Sequence, residues 1–167
     1  EVLQEAGYQT FAFVANPQVH PQFGFEQGFD RFHELFRPET DENGIATEDP
    51  LASATDDRVL AKALSVLLEE RASPYFAYIH LLDPHGPYTP PADCLAPFER
   101  AAGDEPPLAV SPNQKGRGLL PQYQAVDDER RPDVYRQRYE AEIRYFDREL
   151  GRLLAALRAD GHLERAT

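Results

Sequence analysis

Residues 74–88 read PYFAYIHLLDPHGPY, and the fold turns on how this stretch is taken. From Tyr75 to Leu82 the chain is apolar or aromatic at every position except His80. A run that is apolar on both faces predicts a strand buried in a sheet with helices on each side. Just upstream, Val59, Leu60, Ala63, Leu64, Leu67 and Leu68 recur at helical spacing and form one apolar face. Ser53 or Thr55 is placed to cap that helix, and Asp56 and Asp57 suit the positive end of its dipole. Helix, short turn and buried strand together are α/β grammar.

Moving outward, Glu1–Ala6 reads as the last turn of a helix stopped by Gly7. Tyr8–Ala15 reads as a second buried strand ended by Asn16-Pro17. The aromatic-rich stretch from Pro21 to Phe36 carries too many glycines and charges for a long regular element, and is expected to plug the sheet edge. Downstream, Asp83–Pro132 holds 10 of the 15 prolines. Within it, residues 92–131 are expected to form a Pro-rich surface excursion and to carry specificity. A long helix is predicted from Pro132 to Asp160, closed by Gly161. Its expected buried stripe is Tyr135, Tyr139, Ile143, Phe146, Leu150, Leu153, Leu154 and Leu157.

The 17 basic and 29 acidic side chains give a net charge of -12. That balance argues against a nucleic-acid partner, which needs clustered Lys and Arg. No apolar run reaches the roughly 18 residues needed to span a bilayer. The chain has no Met and begins at Glu1, so it is expected to be a piece of something longer.

Chemistry is expected where the strand at Tyr75–Leu82 ends, because ligands of open α/β sheets sit outside the carboxyl ends of strands. Asp83 and His85 fall just past that end, whereas His80 lies within the strand on the side of Phe76, Tyr78 and Leu82. On spacing alone, a plain Asp83-Pro84 turn with packed histidines is an equal reading. A metal site from His80, Asp83 and His85 is the weaker alternative, since a strand followed by a proline turn converges three ligands poorly. Cys94 has no base, cation or helix start beside it and is expected to be inert. Asp127-Asp128-Glu129 reads as a solvated helix approach, and Asp147 as part of a surface network with Arg144 and Arg148. Lys115 and Arg117, flanked by glycines, could reach an anion, although solvated loop cations are the commoner case.

The order Ala6-Gly7-Tyr8-Gln9-Thr10, Asn16, then Phe23-Gly24-Phe25 and Gly28-Phe29-Asp30 resembles the sulfatase family of the alkaline phosphatase superfamily. So does Pro74–His80 running into Asp83-Pro84-His85-Gly86-Pro87-Tyr88 and Pro90-Pro91, and so does the helix with Tyr139–Ile143, Tyr145-Phe146-Asp147 and Leu150-Gly151. The resemblance covers the chain except Ala101–Arg131. It implies an alkaline-phosphatase-like α/β fold with a mostly parallel sheet, present here as a single partial catalytic domain over 1–167, incomplete at both ends. It also implies hydrolysis of sulfate esters, a divalent cation (usually Ca2+) and a formylglycine made in a Cys/Ser-x-Pro/Ala-x-Arg segment.

The chain has no such segment, because Cys94 is followed by Ala96 but then Phe98 instead of Arg. Nucleophile and metal ligands are therefore expected outside this chain, and the chain alone is expected to be inactive. His85 is the one motif residue that carries over, as a hydrogen-bond donor to an anionic sulfate ester. A phosphate-ester or phosphonate hydrolase of the same superfamily, or a non-catalytic binding module derived from it, are the alternatives.

Overall fold

The computed structural model describes residues 1–36, 55–69, 74–101, 103–112 and 119–166. The fold is α/β, with parallel sheets flanked by helices. Two compact units divide it: Glu1–Leu82 with Glu149–Thr167, and Asp83–Arg148.

The first unit is built on a short helix α1 (Val2–Glu5), strands β1 (Gln9–Val14), β2 (Arg31–Glu34) and β3 (Tyr75–His80), and helix α2 (Asp56–Leu67). The strands are all parallel in the order β2-β1-β3. β1 is the central strand, and Phe11 to Ala15 are each 2% exposed or less. Their β-branched and aromatic side chains suit a pleated, covered surface. The buried face of α2 (Val59, Leu60, Ala63, Val66 and Leu67) closes on this core, together with Leu153 and Leu157. Leu68, expected on that face, is 39% exposed at the helix end, and Val66 takes the inner place instead. Thr55 is the cap residue of α2 but makes no side-chain cap bond; Ser53 lies outside the described residues.

A carboxylate clamp fixes where the first two strands begin. Asp30 Oδ2 accepts from the Thr10 amide at 2.8 Å and from Thr10 Oγ1 at 3.0 Å. Its own amide donates to Thr10 Oγ1 at 2.9 Å, and Gln4 Nε2 donates to Oδ1 at 2.7 Å. The Thr10 amide, then the Gln4 amide and the Thr10 hydroxyl, hold the Asp30 carboxyl below its usual range, since each bond favours the ionised form.

Two expectations need correcting in this unit. The aromatic stretch is no mere plug, for its last part, Arg31–Glu34, is a strand paired to β1. And β3 is not covered on both faces: Phe76 and Tyr78 are 41% and 38% exposed, while Tyr75, Ala77 and Ile79 on the opposite face pack against the core. His80 lies on the same side of the strand as these two, half-buried, with its ring 6.2 Å from that of Tyr78.

The second unit contains α3 (Ala92–Leu95), the two-residue parallel strands β4 (Val110–Ser111) and β5 (Leu120–Pro121), and the first part of helix α4 (Pro132–Ala159). Pro132 at the first helical position costs no hydrogen bond there. The predicted stripe of α4 holds only in part. Tyr135, Leu153 and Leu157 are buried, but Tyr139, Ile143 and Leu154 are 41%, 43% and 39% exposed. Gln137, Glu142 and Glu149 are buried instead. Glu149 tolerates this because Arg152 Nη1 meets its two oxygens at 2.8 and 2.9 Å.

Candidate functional site

The segment Asp83–Tyr88 follows β3 and belongs to the second unit. His85 is exposed. Its Nδ1 lies 2.7 Å from the Gly86 carbonyl oxygen, and a carbonyl can only accept. Nδ1 therefore carries a proton, and Nε2 is left as the outward-facing nitrogen. In the neutral ring Nε2 is an acceptor, and only the imidazolium donates from it.

This segment rests on residues that return from later in the chain. Tyr123 stacks on the His85 ring, with centroids 6.2 Å apart and planes 25° from parallel. Gly86 is buried, and a Cβ there would sit 3.2 Å from Gln124 Cγ and Cδ. A larger residue there would have to push the Gln124 side chain back by a few tenths of an ångström. Further along, the ring of Tyr88 meets Tyr135 and Tyr139 edge-on at 6.5 and 5.6 Å. Its carbonyl accepts from Arg138 Nη1 at 3.2 Å. Burial, then the neighbouring Tyr139 and Glu142, push the Tyr88 phenol pKa up.

The start of α4 is fastened separately. Glu129 accepts from the amides of Arg130 and Arg131, each at 2.9 Å, and from the Arg131 guanidinium at 3.0 and 2.6 Å. The Arg131 side chain above all, against the penalty of burial, takes the Glu129 carboxyl down to about 2. Glu129 is thus a clip rather than a solvated approach. Tyr135 closes the loop, accepting from the Val126 amide at 3.0 Å and donating to the Glu129 carbonyl at 3.3 Å.

The remaining candidates fall out as follows. Cys94 is fully buried; contrary to expectation it lies inside a helix, the four-residue α3. Arg148 pairs with Asp93 at 2.5 Å, and Asp147 is exposed. Lys115 and Arg117 lie outside the described residues. Among the described residues, no group of three or more His, Cys, Asp or Glu side chains could hold a metal ion. His80, Asp83 and His85 therefore form no ligand set, and the described residues do not fit a calcium site. The sequence reading placed Tyr135 on the buried stripe of α4 but not beside this segment, and it missed Tyr123, Gln124 and Arg138, which support the His85 segment from a loop and a helix.

The family profile described as Sulfatase matches residues 1–167, the whole chain. The chain belongs to the sulfatase family. No curated protein sequence matches it. Membership makes hydrolase chemistry on sulfate esters the activity of the family around this sulfatase chain. No helix among its described residues is long and apolar enough to cross a membrane.

Proposed function

We propose that the protein carrying this sulfatase chain hydrolyses sulfate esters, and that His85 grips the sulfate group. The observation that supports this most is the His85 ring itself: exposed, pinned through Nδ1 to Gly86, and stacked on Tyr123. A ring so held presents Nε2 outward in one orientation. As an imidazolium it donates from Nε2 to a sulfate oxygen. A preorganised donor of this kind stabilises charge that develops on the sulfuryl oxygens as the ester bond breaks.

The described residues fit no calcium site and the sequence holds no formylglycine segment. In this reading the 167-residue chain alone turns over no chromogenic aryl sulfate. The test is His85→Ala in the full-length protein that carries the chain. Turnover of the aryl sulfate should fall by roughly 10²-fold or more, the usual worth of one positioned donor or acid. The melting temperature should barely move, because an exposed ring fills no core. Equal turnover of wild type and variant rejects the role of His85. Preferential turnover of the matching aryl phosphate rejects the sulfate reading.

A further inference from the structure

We propose that Tyr123 is a second ligand for the substrate's oxyanion, acting beside His85; this rests on the reading of His85 just given. Tyr123 lies in the turn that follows β5 and is 44% exposed. A tyrosine buried only for packing hides its ring, yet this one presents half its surface next to an exposed imidazole. Its hydroxyl oxygen accepts from Gln124 Nε2 at 3.2 Å. With an acceptor lone pair engaged by the amide, the phenolic proton is left to donate elsewhere. Gln124 is itself held against Gly86, so the same contact seats both the amide and the histidine segment.

Two donor-bearing rings then stand stacked side by side, with centroids 6.2 Å apart and both residues exposed. A tetrahedral anion offers several oxygens, so it can accept from both rings at once. His85 donates as a cation, and Tyr123 as a neutral phenol whose acidity is not needed. Sulfate and phosphate groups offer the same acceptors, so the shared chemistry is a tetrahedral oxyanion. What Tyr123 adds is binding that does not depend on the protonation of histidine.

The experiment titrates inorganic sulfate, and separately inorganic phosphate, into the full-length protein by calorimetry. The proteins compared are wild type, Tyr123→Phe, Tyr123→Ala, His85→Ala and the distant control Tyr8→Phe. Tyr123→Phe keeps the ring against His85 and removes only the hydroxyl. It should weaken anion affinity about tenfold, the worth of one hydrogen bond to a charged group. Tyr123→Ala should weaken it at least as much, and Tyr8→Phe should leave it unchanged. If His85→Ala weakens binding and Tyr123→Phe does not, Tyr123 is a packing ring and this inference falls while the His85 reading stands. If neither variant changes affinity, or wild type binds neither anion, both fall.

Discussion

The two units are held together by different physics. Every member of the apolar core cluster lies in Glu1–Leu82 or Glu149–Thr167. Asp83–Arg148 relies on polar ties and stacked rings: Arg100 with Glu140 at 2.6 Å, Arg148 with Asp93 at 2.5 Å, Arg136 with Glu105, and the Glu129 clip. Apolar burial is non-directional and is not screened by counter-ions, whereas ion pairs at a surface are weak, screened and sensitive to pH. The candidate site sits in the unit with the weaker glue. A site that must admit a solvated anion needs exposed, oriented polar groups, and those are what a dry core excludes.

The sharpest way to break this contrast is through the core. Phe13, 0% exposed, should cost about 3–5 kcal/mol when cut to alanine, the range for buried Phe→Ala. Chemical denaturation of the full-length protein measures it; a loss below about 1 kcal/mol would mean that β1 does not carry the core.

A smaller effect is expected from His33. Its ring stacks on Phe13 at 5.0 Å, and its buried Nε2 has no hydrogen-bond partner among the described residues. Burial, then Lys62 and Arg31, hold its pKa below the ordinary 6.5, with Glu69 opposing. The unfolded ring therefore takes up a proton first. Stability should drop as pH falls through 6.5, at a slope of at most about 1.4 kcal/mol per pH unit. His33→Phe should flatten that stretch of the pH–stability curve; an unchanged curve would place the titration elsewhere.

In the polar unit the expected losses are smaller still. Glu129 is held at about 2 against an ordinary 4.5, so its contribution is present above pH 4.5 and fades as pH falls toward 2. Because the Arg131 side chain is 53% exposed, solvent screens the pair, and Glu129→Gln should cost under about 1 kcal/mol. Hydrogen exchange at the Val126 and Arg131 amides should report that loss locally. The least effect belongs to salt. Raising it to about 1 M should speed exchange around Arg100, Arg136 and Arg148 by less than about fivefold, each exposed pair being worth well under 1 kcal/mol. Equal acceleration in β1 would erase the distinction between the units.

Much of the first unit was legible because its signals are local. β1 announces itself by the apolar run Phe11–Ala15, and α2 by a repeating face. β2 was hidden since Arg31-Phe32-His33-Glu34 is short, charged at both ends and lies at the edge of the described sheet, where burial imposes no alternation. The stripe of α4 failed for a different reason. A single stripe assumes one neighbour along the helix, but α4 begins in one unit and ends in the other. At the candidate site, the strand exit singled out Asp83 and His85 only as equals of a plain turn, and it was the resemblance of Asp83–Tyr88 that favoured His85. Tyr123 and Gln124 could not be found, because what places them is a long-range return of the loop and not a spacing in the sequence.

The Asp30 clamp has a practical side. Gln4 and Asp30 stand 26 positions apart yet share one hydrogen bond. Anyone trimming this protein for expression would take Gly7 for a natural starting point, since the helix ends there and the strand begins. A version that starts there loses the Gln4 amide and leaves Asp30 Oδ1 to water, at the very place where two parallel strands are set in register. A safe cut therefore lies upstream of Gln4, and the same applies to any tag or fusion joint placed at this end.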